Sequence, residues 1–320
     1  MRAKIIGVGS YVPPRIVTND DIAKIVDTSD EWIRERTGIR ERRISDEGTA
    51  TSDLALLAAE RALLAANTAA RDLDLIVVCT CSPDTLFPST ACILQDKLGA
   101  VKAAAFDLSA ACSGFNYGLA VASQLIESGH YRKVLLVGAD TLAKYLDWSD
   151  RGTCILFGDG AGAVVLEATK EKKGVLSSWL HAEGNLGQHL VMPGGGSRDP
   201  EEINGRFIRM DGKEVFRFAV RALETSIHRI LNQSGFSVGD IDLFIPHQAN
   251  IRIIQHVMKK MRLHKEKVYV NLQKYGNTSA ASVPLALDEA VGEGKVKAGD
   301  LIILSGFGAG LTAGANIIRW

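Results

Sequence analysis

Short apolar runs alternate with longer helical patterns along this chain. Segments 72–78 and 133–138 each carry a continuous run of Val, Leu or Ile after polar residues. Such runs are typical of strands that helices bury on both faces. Segment 52–66 is rich in Ala and Leu, and segment 115–126 is apolar almost all round. The pattern predicts an α/β fold in layers, with 115–126 as a central helix.

The pattern of the first half of the chain returns in the second half. Segment 240–246 repeats the polar and apolar order of 72–78 at an offset of 168 positions. Segment 300–306 matches 133–138 at nearly the same offset. Self-similarity at a fixed spacing indicates a duplicated structural unit. We therefore expect two halves related by a pseudo-twofold axis.

A boundary between the halves is predicted within 167–174, the most polar stretch between apolar runs near the middle of the chain. We assign 1–172 to an N-terminal half and 173–320 to a C-terminal half. Single cores usually stop growing at roughly 250 to 300 residues, so a chain of 320 residues is long enough for two fused units.

Cys112 is the first candidate for chemistry. It lies in 107–115, where a strand-like run gives way through small residues to the predicted central helix. At a helix N-terminus, unpaired N–H groups and the positive end of the helix dipole favour a thiolate and an adjacent oxyanion. The tight turn from strand to helix therefore indicates a nucleophile. The alternative is a small buried thiol, as most single cysteines are.

His247 and Asn277 are the second and third candidates. His247 follows a buried strand, so it lies at a carboxyl end of the sheet, where open α/β folds bind ligands. Asn277 lies in a small-residue turn that mirrors the turn at Cys112, because the offset of 168 carries Cys112 to Ala280. The alternatives are a hydrogen-bonded core histidine and an ordinary helix N-cap. A pseudo-twofold fold would bring all three candidates to one pocket, with His247 and Asn277 contributed by the C-terminal half.

Glycine-rich turns lie in both halves. Segment 305–312 comes directly after a predicted buried strand, and 157–162 is a similar run in the first half. Alternating glycines let N–H groups approach a ligand, and close packing of helix on strand is the alternative. Because no run completes a G-x-G-x-x-G motif at a strand-to-helix junction and no Walker loop is present, no cofactor is expected.

The other four cysteines are assigned no role, and no metal site is expected. Cys79 and Cys81 alternate along a predicted strand and would point to opposite faces, which argues against joint metal ligation. Cys92 and Cys154 have no neighbours that suggest more than packing.

The composition is typical of a soluble globular protein, with 46% apolar and 23% charged residues. Lys plus Arg equals Asp plus Glu at 37 each, so the net charge gives no reason to expect nucleic acid or an anionic membrane as a partner. The apolar run 5–8, predicted as a short strand that Gly9 and Pro13-Pro14 end, is too short for a signal peptide or a membrane span. The five cysteines, an odd number without disulfide-like spacing, favour the reducing cytoplasm.

Three blocks of the sequence resemble, in this order, the active-site blocks of the β-ketoacyl-acyl carrier protein synthase III family: 111–115, 246–250 and 275–282. Further matches, spread over essentially the whole chain, are 28–33, 36–39, 87–89, 157–162 and 306–308. The resemblance implies a thiolase-like fold with five layers, α-β-α-β-α, and a homodimer. It also implies a condensing enzyme of fatty-acid synthesis.

The same resemblance implies a condensation in two stages. Cys112 accepts the acyl group of an acyl-CoA, and His247 Nε2 and Asn277 then hydrogen-bond the thioester carbonyl of malonyl-acyl carrier protein as it loses CO2. The carbanion attacks the acyl-cysteine and gives a 3-ketoacyl-acyl carrier protein. The backbone N–H groups of Cys112 and Ala309 form the oxyanion hole. Glycine is common at position 309 in the family, and a positive φ would strain an alanine there by roughly 1 kcal/mol.

Binding residues are implied in the same way. The CoA-binding positions are Thr28, Trp32, Arg36, Arg151, Phe216 and Asn250, with Trp32 and Arg151 sandwiching the adenine. The acyl-pocket positions are Phe157 and Phe87, which crosses the dimer interface. The basic positions for docking the acidic carrier protein are Arg217, Arg252, Lys259 and Lys260. Ordinary surface or packing roles are the alternatives for these residues.

Three other functions remain open from the sequence. A non-condensing thiolase-fold subunit that binds acyl carriers would usually lack the cysteine, which is present here. A related condensing enzyme could act on other acyl thioesters, and an acyltransferase or hydrolase could use the same order of Cys, His and Asn. The acyl primer is also open, because one methylene changes discrimination by only about 1–3 kcal/mol.

Overall fold

Two β-sheets, each built mainly from one half of the chain, form the centre of the fold. The structure is a computed structural model that describes residues 1–200 and 204–320. Its strands are β1 (Arg2–Tyr11), β2 (Ile16–Thr18), β3 (Glu41–Arg43), β4 (Leu75–Cys79), β5 (Ala104–Leu108), β6 (Lys133–Asp140), β7 (Gly160–Thr169), β8 (Gly174–Ala182), β9 (Leu190–Val191), β10 (Arg209–Met210), β11 (Leu243–Pro246), β12 (Leu301–Gly308) and β13 (Thr312–Arg319). Its α-helices are α1 (Asn19–Ala23), α2 (Asp30–Thr37), α3 (Thr51–Ala65), α4 (Thr90–Leu98), α5 (Gly114–Glu127), α6 (Arg151–Cys154), α7 (Gly212–Ser234), α8 (Ile251–Met261), α9 (Leu272–Tyr275) and α10 (Ser282–Gly292).

Strand order is the same in the two sheets. The first sheet has the order β1-β7-β6-β4-β5, and the second, read from the corresponding edge, has the order β8-β13-β12-β11. β4 is parallel to β6, as β11 is to β12, and the remaining matched pairs are antiparallel. The first residues of β4 and β11, Leu75 and Leu243, are 168 positions apart. The predicted duplication is therefore confirmed in the fold, although β5 has only a single-residue counterpart, Val268, which bridges to Phe244.

The helices form three layers around the two sheets. α5 and α10 lie between the sheets, and their apolar residues belong to one buried cluster with strands of both sheets. α3 and α4 cover the outer face of the first sheet, and α7 and α8 cover the outer face of the second. Each fully buried Leu, Ile or Phe side chain stabilises this arrangement by about 1.5–3 kcal/mol. The layer order α-β-α-β-α and the central helix predicted at 115–126 are confirmed.

β1 is longer than the sequence predicts. The predicted strand covered 5–8, with Gly9 and Pro13-Pro14 ending it, whereas β1 continues through Gly9 and ends at Tyr11, before the prolines. A Cβ atom on Gly7 would lie 2.4 Å from the Ala62 carbonyl oxygen, and one on Gly9 would lie 2.4 Å from the Ala62 nitrogen. These glycines therefore allow α3 to approach the sheet closely, and they do not end the strand.

The polar segment between the two sheets is shorter than the predicted 167–174. β7 continues to Thr169 because it pairs with both β1 and β6, and β8 begins at Gly174. Only residues 170–173 connect the two sheets. The division of the chain into 1–172 and 173–320 stays a prediction.

A membrane-spanning helix is not found in the described residues. None of the helices within 1–200 and 204–320 combines the length and the continuous apolar character that crossing a bilayer requires.

Candidate active site

Two equivalent turns meet between the sheets. The Cys112 turn (Ala111–Ser113) is a 3₁₀ turn that leads into α5, and the Ala280 turn (Ser279–Ala281) is a 3₁₀ turn that leads into α10. Ala111 has a φ of 47° and Ser279 a φ of 52°, and the two residues are 168 positions apart. A left-handed backbone costs a non-glycine residue about 1–2 kcal/mol, so the surrounding structure must hold both turns in place. Cys112 thus lies at the start of a helix, as predicted.

The sulfur of Cys112 is buried in a largely apolar environment. The residue is 6% exposed, and burial raises the pKa of its thiol to about 12. The Ser279 side chain acts in the opposite direction, and the carboxylate of Asp140 raises the pKa further. Burial therefore outweighs the helix N-terminus that the sequence suggests as a thiolate-stabilising feature. The raised pKa favours the protonated thiol at neutral pH.

His247 is a neutral imidazole directly after β11. Its backbone N–H donates to the Ser305 carbonyl at 2.7 Å, which fixes the end of β11 against β12. The residue is 1% exposed, and burial lowers the pKa of its imidazole to about 3. The ring lies edge-on to Phe307, with 5.1 Å between ring centroids, and Nδ1 lies 2.5 Å from Ser282 Oγ. An imidazole held this way can donate or accept one hydrogen bond but carries no charge.

Asn277 is held by backbone hydrogen bonds to the other half of the chain. Its N–H donates to the Leu156 carbonyl at 2.8 Å, and its carbonyl accepts the N–H of Gly158 at 3.0 Å. Its side-chain Oδ1 accepts the N–H of Ser279 at 2.9 Å. Because the amide oxygen is used in this way, the Nδ2 group is left to act as a donor. α10 begins at Ser282, so Asn277 is not its N-cap.

The structure brings Cys112, His247 and Asn277 to one cavity. All three line a narrow cavity of about 80 Å³, together with Phe216 and Asn250. Cys112 also lines a wider, largely apolar cavity of about 560 Å³. Other residues of the wider cavity are Cys81, Leu142, Phe157, Leu190, Ile208 and Ser279. The sulfur of Cys112 therefore lies where a narrow passage meets a space suited to an aliphatic chain.

The glycine-rich end of β12 lies against the Cys112 turn. A Cβ atom on Gly308 would lie 2.6 Å from the nitrogen of Cys112, so only glycine permits this approach. Ala309 follows and lines the wider cavity with Cys112. Ala309 is not among the described residues with a positive φ, so the strain considered for it from the sequence does not arise. Its part in an oxyanion hole stays a prediction.

Trp32, Arg36 and Arg151 lie together on the surface. The guanidinium carbon of Arg151 is 4.6 Å from the centroid of the Trp32 ring, and that of Arg36 is 5.5 Å away. Stacked bases are spaced by about 3.4 Å, so a base between Trp32 and Arg151 needs roughly 7 Å. Arg151, which donates to the Asp27 carbonyl at 2.9 Å, would therefore have to move for an adenine to enter between them.

The other predicted CoA positions have different environments. The Oγ1 atom of Thr28 is buried without a hydrogen-bond partner in the described residues. Asn250 caps α8 by accepting the N–H of Arg252, and its Nδ2 donates to the Arg36 carbonyl at 3.0 Å. Phe216 and Asn250 line the same narrow cavity as the three candidate catalytic residues. Two of the predicted CoA-binding residues therefore line the cavity that the three candidate catalytic residues share.

The two predicted acyl-pocket residues differ greatly in solvent exposure. Phe157 is 3% exposed and lines both cavities beside Cys112. Phe87 is 85% exposed and lines neither of the two cavities at Cys112. A role for Phe87 in an acyl pocket would therefore require the pocket of another protomer.

The predicted docking residues lie on α7 and α8. Arg217 pairs with Glu214, and Lys260 pairs with Glu224 at 3.4 Å. The guanidinium of Arg252 lies over the Phe216 ring at 5.8 Å, and Lys259 is exposed in the last turn of α8. Exposed ion pairs contribute only about 0–1 kcal/mol, so these cations can exchange partners at low cost.

Four residues of the site were not found from the sequence: Cys81, Asp140, Ser279 and Ser282. Cys81 was expected on one strand with Cys79, but β4 ends at Cys79, and Cys81 lies in the following turn beside Cys112. Fully buried Asp140 accepts hydrogen bonds from the turn after β4 and from the Ala280 turn. An available signal was the offset of 168, which pairs Ser279 with Ala111.

Two family models match the chain. The model of 3-oxoacyl-[acyl-carrier-protein (ACP)] synthase III matches residues 106–184, and the model of its C-terminal region matches residues 231–320. The matched segments include Cys112, His247 and Asn277.

Relatives match over nearly the whole length. The β-ketoacyl-[acyl-carrier-protein] synthase III of Caldanaerobacter subterraneus subsp. tengcongensis is 54% identical over 323 residues, which cover 99% of this chain and 98% of the relative. The crystal structure of 3-oxoacyl-[acyl-carrier-protein] synthase III from Aquifex aeolicus has 49% identity and a TM-score of 0.94, covering 99% of this chain and 100% of that one. A priming β-ketosynthase of the R1128 polyketide biosynthetic pathway has 37% identity and a TM-score of 0.93, covering 99% and 96%.

Fold and site together define a condensing enzyme with the thiolase-like fold. The five layers, the duplicated halves and the full-length structural match all agree with this class. The chain belongs to the β-ketoacyl-[acyl-carrier-protein] synthase III family. The family resemblance found in the sequence is thereby confirmed.

Proposed function

We propose that the chain joins the acyl group of an acyl-CoA primer to malonyl-acyl carrier protein, with loss of CO2, and so starts fatty-acid synthesis. The main support is the single cavity lined by Cys112, His247 and Asn277. It combines one nucleophile with two uncharged hydrogen-bond donors, which is the set that acyl transfer followed by decarboxylation requires. Membership of the family supports the same reaction.

In the first stage, Cys112 Sγ forms a bond to the carbonyl carbon of the acyl-CoA. The bond from that carbon to the CoA sulfur breaks, and CoA leaves as the thiol with the proton that Cys112 gives up. During the attack the carbonyl oxygen becomes negative, and the N–H groups of Cys112 and Ala309 serve as its donors. The acyl chain occupies the cavity of about 560 Å³, whose apolar wall includes Leu142 and Phe157.

In the second stage, the thioester carbonyl of malonyl-acyl carrier protein accepts hydrogen bonds from His247 Nε2 and Asn277 Nδ2. The electron pair of the bond to the carboxylate moves toward this oxygen as CO2 leaves, and the two donors stabilise the enolate. The enolate carbon attacks the acyl group on Cys112, whose sulfur leaves and takes up one proton from solvent. A 3-ketoacyl-acyl carrier protein is released.

Binding roles are proposed for the residues around this site. Thr28, Trp32, Arg36 and Arg151 bind the nucleotide of CoA, and Phe216 and Asn250 line the passage for its pantetheine arm. The basic residues on α7 and α8, which are Arg217, Arg252, Lys259 and Lys260, dock the acidic carrier protein. Support comes from Phe216 and Asn250, which line the narrow cavity, and from the hydrogen bond of Asn250 to Arg36. Arg252, Lys259 and Lys260 lie on α8, the helix that Asn250 caps.

We further propose a cytoplasmic homodimer. β5 is an edge strand of the first sheet, with β4 as its only neighbour in the described residues. Leu86 and Phe87, in the connection between β4 and α4, are 81% and 85% exposed, which is costly for a monomer in water. All five cysteines are free, as is usual in a reducing compartment.

Mass spectrometry of the intact protein and of its Cys112 peptide tests the reaction. Incubation with acetyl-CoA or a branched acyl-CoA is expected to add one acyl mass to Cys112, and malonyl-acyl carrier protein is then expected to remove it as a 3-ketoacyl product. C112S serves as the control for acylation elsewhere. Absence of acylation with every primer would refute a condensing role. Acylation followed only by hydrolysis would favour an acyltransferase or hydrolase.

A related condensing enzyme that acts on other thioesters is the second candidate. The match to the priming β-ketosynthase, together with an apolar cavity larger than a short acyl group needs, gives it support. Comparison of kcat/KM for acetyl, isobutyryl, isovaleryl and octanoyl primers on the same malonyl-acyl carrier protein distinguishes the two.

A further inference from the structure

We infer that Ser282 is a positioning residue that fixes His247 in the tautomer with its proton on Nε2, the form that donates toward the cavity. This inference rests on the proposed condensation, because only that tautomer can hydrogen-bond the thioester carbonyl. Ser282 itself does not line the narrow cavity at Cys112. It acts on the reaction only through His247.

The hydrogen bonds of Ser282 leave only one acceptor for its hydroxyl proton. Ser282 is 1% exposed and is the first residue of α10. Its Oγ lies 2.5 Å from His247 Nδ1 and accepts the backbone N–H of Gln248 at 3.4 Å. The Ser282 side chain has no other hydrogen-bond partner within residues 1–200 and 204–320. Because the Gln248 group can only donate, Nδ1 is the one acceptor for the Ser282 proton.

The state of the imidazole follows from that proton. His247 is neutral, because burial lowers its pKa to about 3, so only one ring nitrogen carries hydrogen. A nitrogen that accepts the Ser282 proton has none of its own, and the ring proton is then on Nε2. The opposite tautomer would leave a buried hydroxyl proton without an acceptor, which disfavours it by roughly tenfold or more.

The other half of the molecule lacks this pair of residues. The positions 168 before His247 and Ser282 are Cys79 and Gly114. Cys79 is fully buried at the end of β4, and a Cβ atom on Gly114 would lie 3.3 Å from the Cβ of Cys79. The first half therefore has neither the imidazole nor the hydroxyl at these two equivalent positions. The serine therefore accompanies the histidine and is not a general requirement for starting the helix.

The substitution Ser282→Ala tests this role. We expect acylation of Cys112 by acetyl-CoA to stay within about twofold of the parent, because that stage does not use Nε2 of His247 as a donor. Decarboxylation of malonyl-acyl carrier protein is expected to fall roughly tenfold or more. Ser282→Thr, which keeps a hydroxyl, should restore most of the rate. The matched control is Ser123→Ala, which removes a buried hydroxyl that donates within α5 to Ala120.

Nitrogen NMR of the histidine side chains measures the tautomer directly and independently of activity. The parent should show His247 protonated on Nε2, assigned by the loss of its signals in His247→Gln, and Ser282→Ala should show protonation shifted toward Nδ1. A parent protonated on Nδ1, or Ser282→Ala with an unchanged Nε2 proton, would overturn the role. If Ser282→Ala does not fold, the parent and Ser282→Thr spectra still decide. Failure of the condensation itself would leave this spectrum unchanged, so the two ideas fail separately.

Discussion

The Cys112 turn and the Ala280 turn have the same backbone but different surroundings. Asp140, the last residue of β6, accepts the N–H of Ala280 at 3.2 Å. The residue 168 positions after Asp140 is Gly308, the last residue of β12, and it lies against the nitrogen of Cys112 without a side chain. One turn therefore binds a permanent carboxylate, and the other leaves the corresponding place open. On the proposed mechanism, the open place at the Cys112 turn takes the substrate's oxyanion, where the Ala280 turn has a side chain of the protein itself.

Two further glycines, each two residues before Asp140 or Gly308, let a strand of one half pack against the turn of the other half. A Cβ atom on Gly138 of β6 would lie 2.3 Å from the Ala280 carbonyl oxygen, and one on Gly306 of β12 would lie 2.8 Å from the side-chain amide of Asn116 beside the Cys112 turn. Gly138 and Gly306 are again 168 positions apart. Each turn is thus supported by a strand of the opposite half, so the active site depends on both.

Placing a carboxylate beside Cys112 should have the largest effect. Gly308→Asp copies the arrangement at Ala280, and we expect acylation of Cys112 to fall by about 100- to 1000-fold, because the oxyanion would lose its donor and meet a negative charge. Intact-protein mass spectrometry gives the rate. Gly308→Ala separates volume from charge, and a melting curve confirms folding. Acylation within tenfold of the parent in a folded Gly308→Asp protein would contradict this interpretation of the turns.

Replacing the equivalent residues His247 and Cys79 by alanine separates an effect on the reaction from an effect on packing. His247→Ala should lower condensation by roughly 100-fold while acylation of Cys112 changes little, because the lost donor acts on the malonyl thioester. Cys79→Ala, at the equivalent position in the first half, should keep both activities and lower the free energy of unfolding by about 1 kcal/mol. Equal loss of condensation in both variants would show that packing alone explains the effect.

Neutralising the carboxylate at the Ala280 turn should affect stability. Asp140 accepts from Thr80, Cys81 and Ser82 as well as from Ala280. In Asp140→Asn an N–H group would face another donor, so we expect the free energy of unfolding to fall by about 2–3 kcal/mol. Urea unfolding measures the change, and the exposed Asp96→Asn is the matched control. A difference below 0.5 kcal/mol, on the order of a surface substitution, would mean that the carboxylate does not hold the turn.

The smallest effect concerns the protonation of Cys112. Because burial raises its pKa to about 12, the thiolate fraction should grow about tenfold for each pH unit between pH 7 and 10. The rate of iodoacetamide alkylation, followed on the Cys112 peptide, should rise with the same slope and without a plateau. A plateau below pH 9 would show that the donors at the turn stabilise the thiolate more than burial disfavours it.

The sequence was sufficient to predict the layers, the duplication and the three candidate catalytic residues. Cys112 opens a helix, His247 follows a strand and Asn277 lies in the turn before α10, and such positions are visible as breaks between apolar runs. The offset of 168 placed Cys112 opposite Ala280, and the two turns do share a left-handed residue. Regular periodicity made these features predictable.

Contacts between the halves could not be predicted in the same way. The hydrogen bond of Asp140 to Ala280 joins residues 140 positions apart, and only the packed structure shows which N–H group it satisfies. Gly9 suggested a strand end, because a sequence does not show that a Cβ atom there would lie 2.4 Å from the Ala62 nitrogen of α3. For Cys112, the helix start was visible but the extent of burial, which controls its pKa, was not.

The hydrogen bonds of Asn277 to Leu156 and Gly158 have a consequence for how activity arises during biosynthesis. They join a donor of the C-terminal half to the main chain of the N-terminal half, next to Phe157 in the cavity wall. A nascent chain of which only the first half has left the ribosome contains Cys112 but lacks His247 and Asn277. On the proposed mechanism, a chain cut after the first half is therefore expected to be inactive.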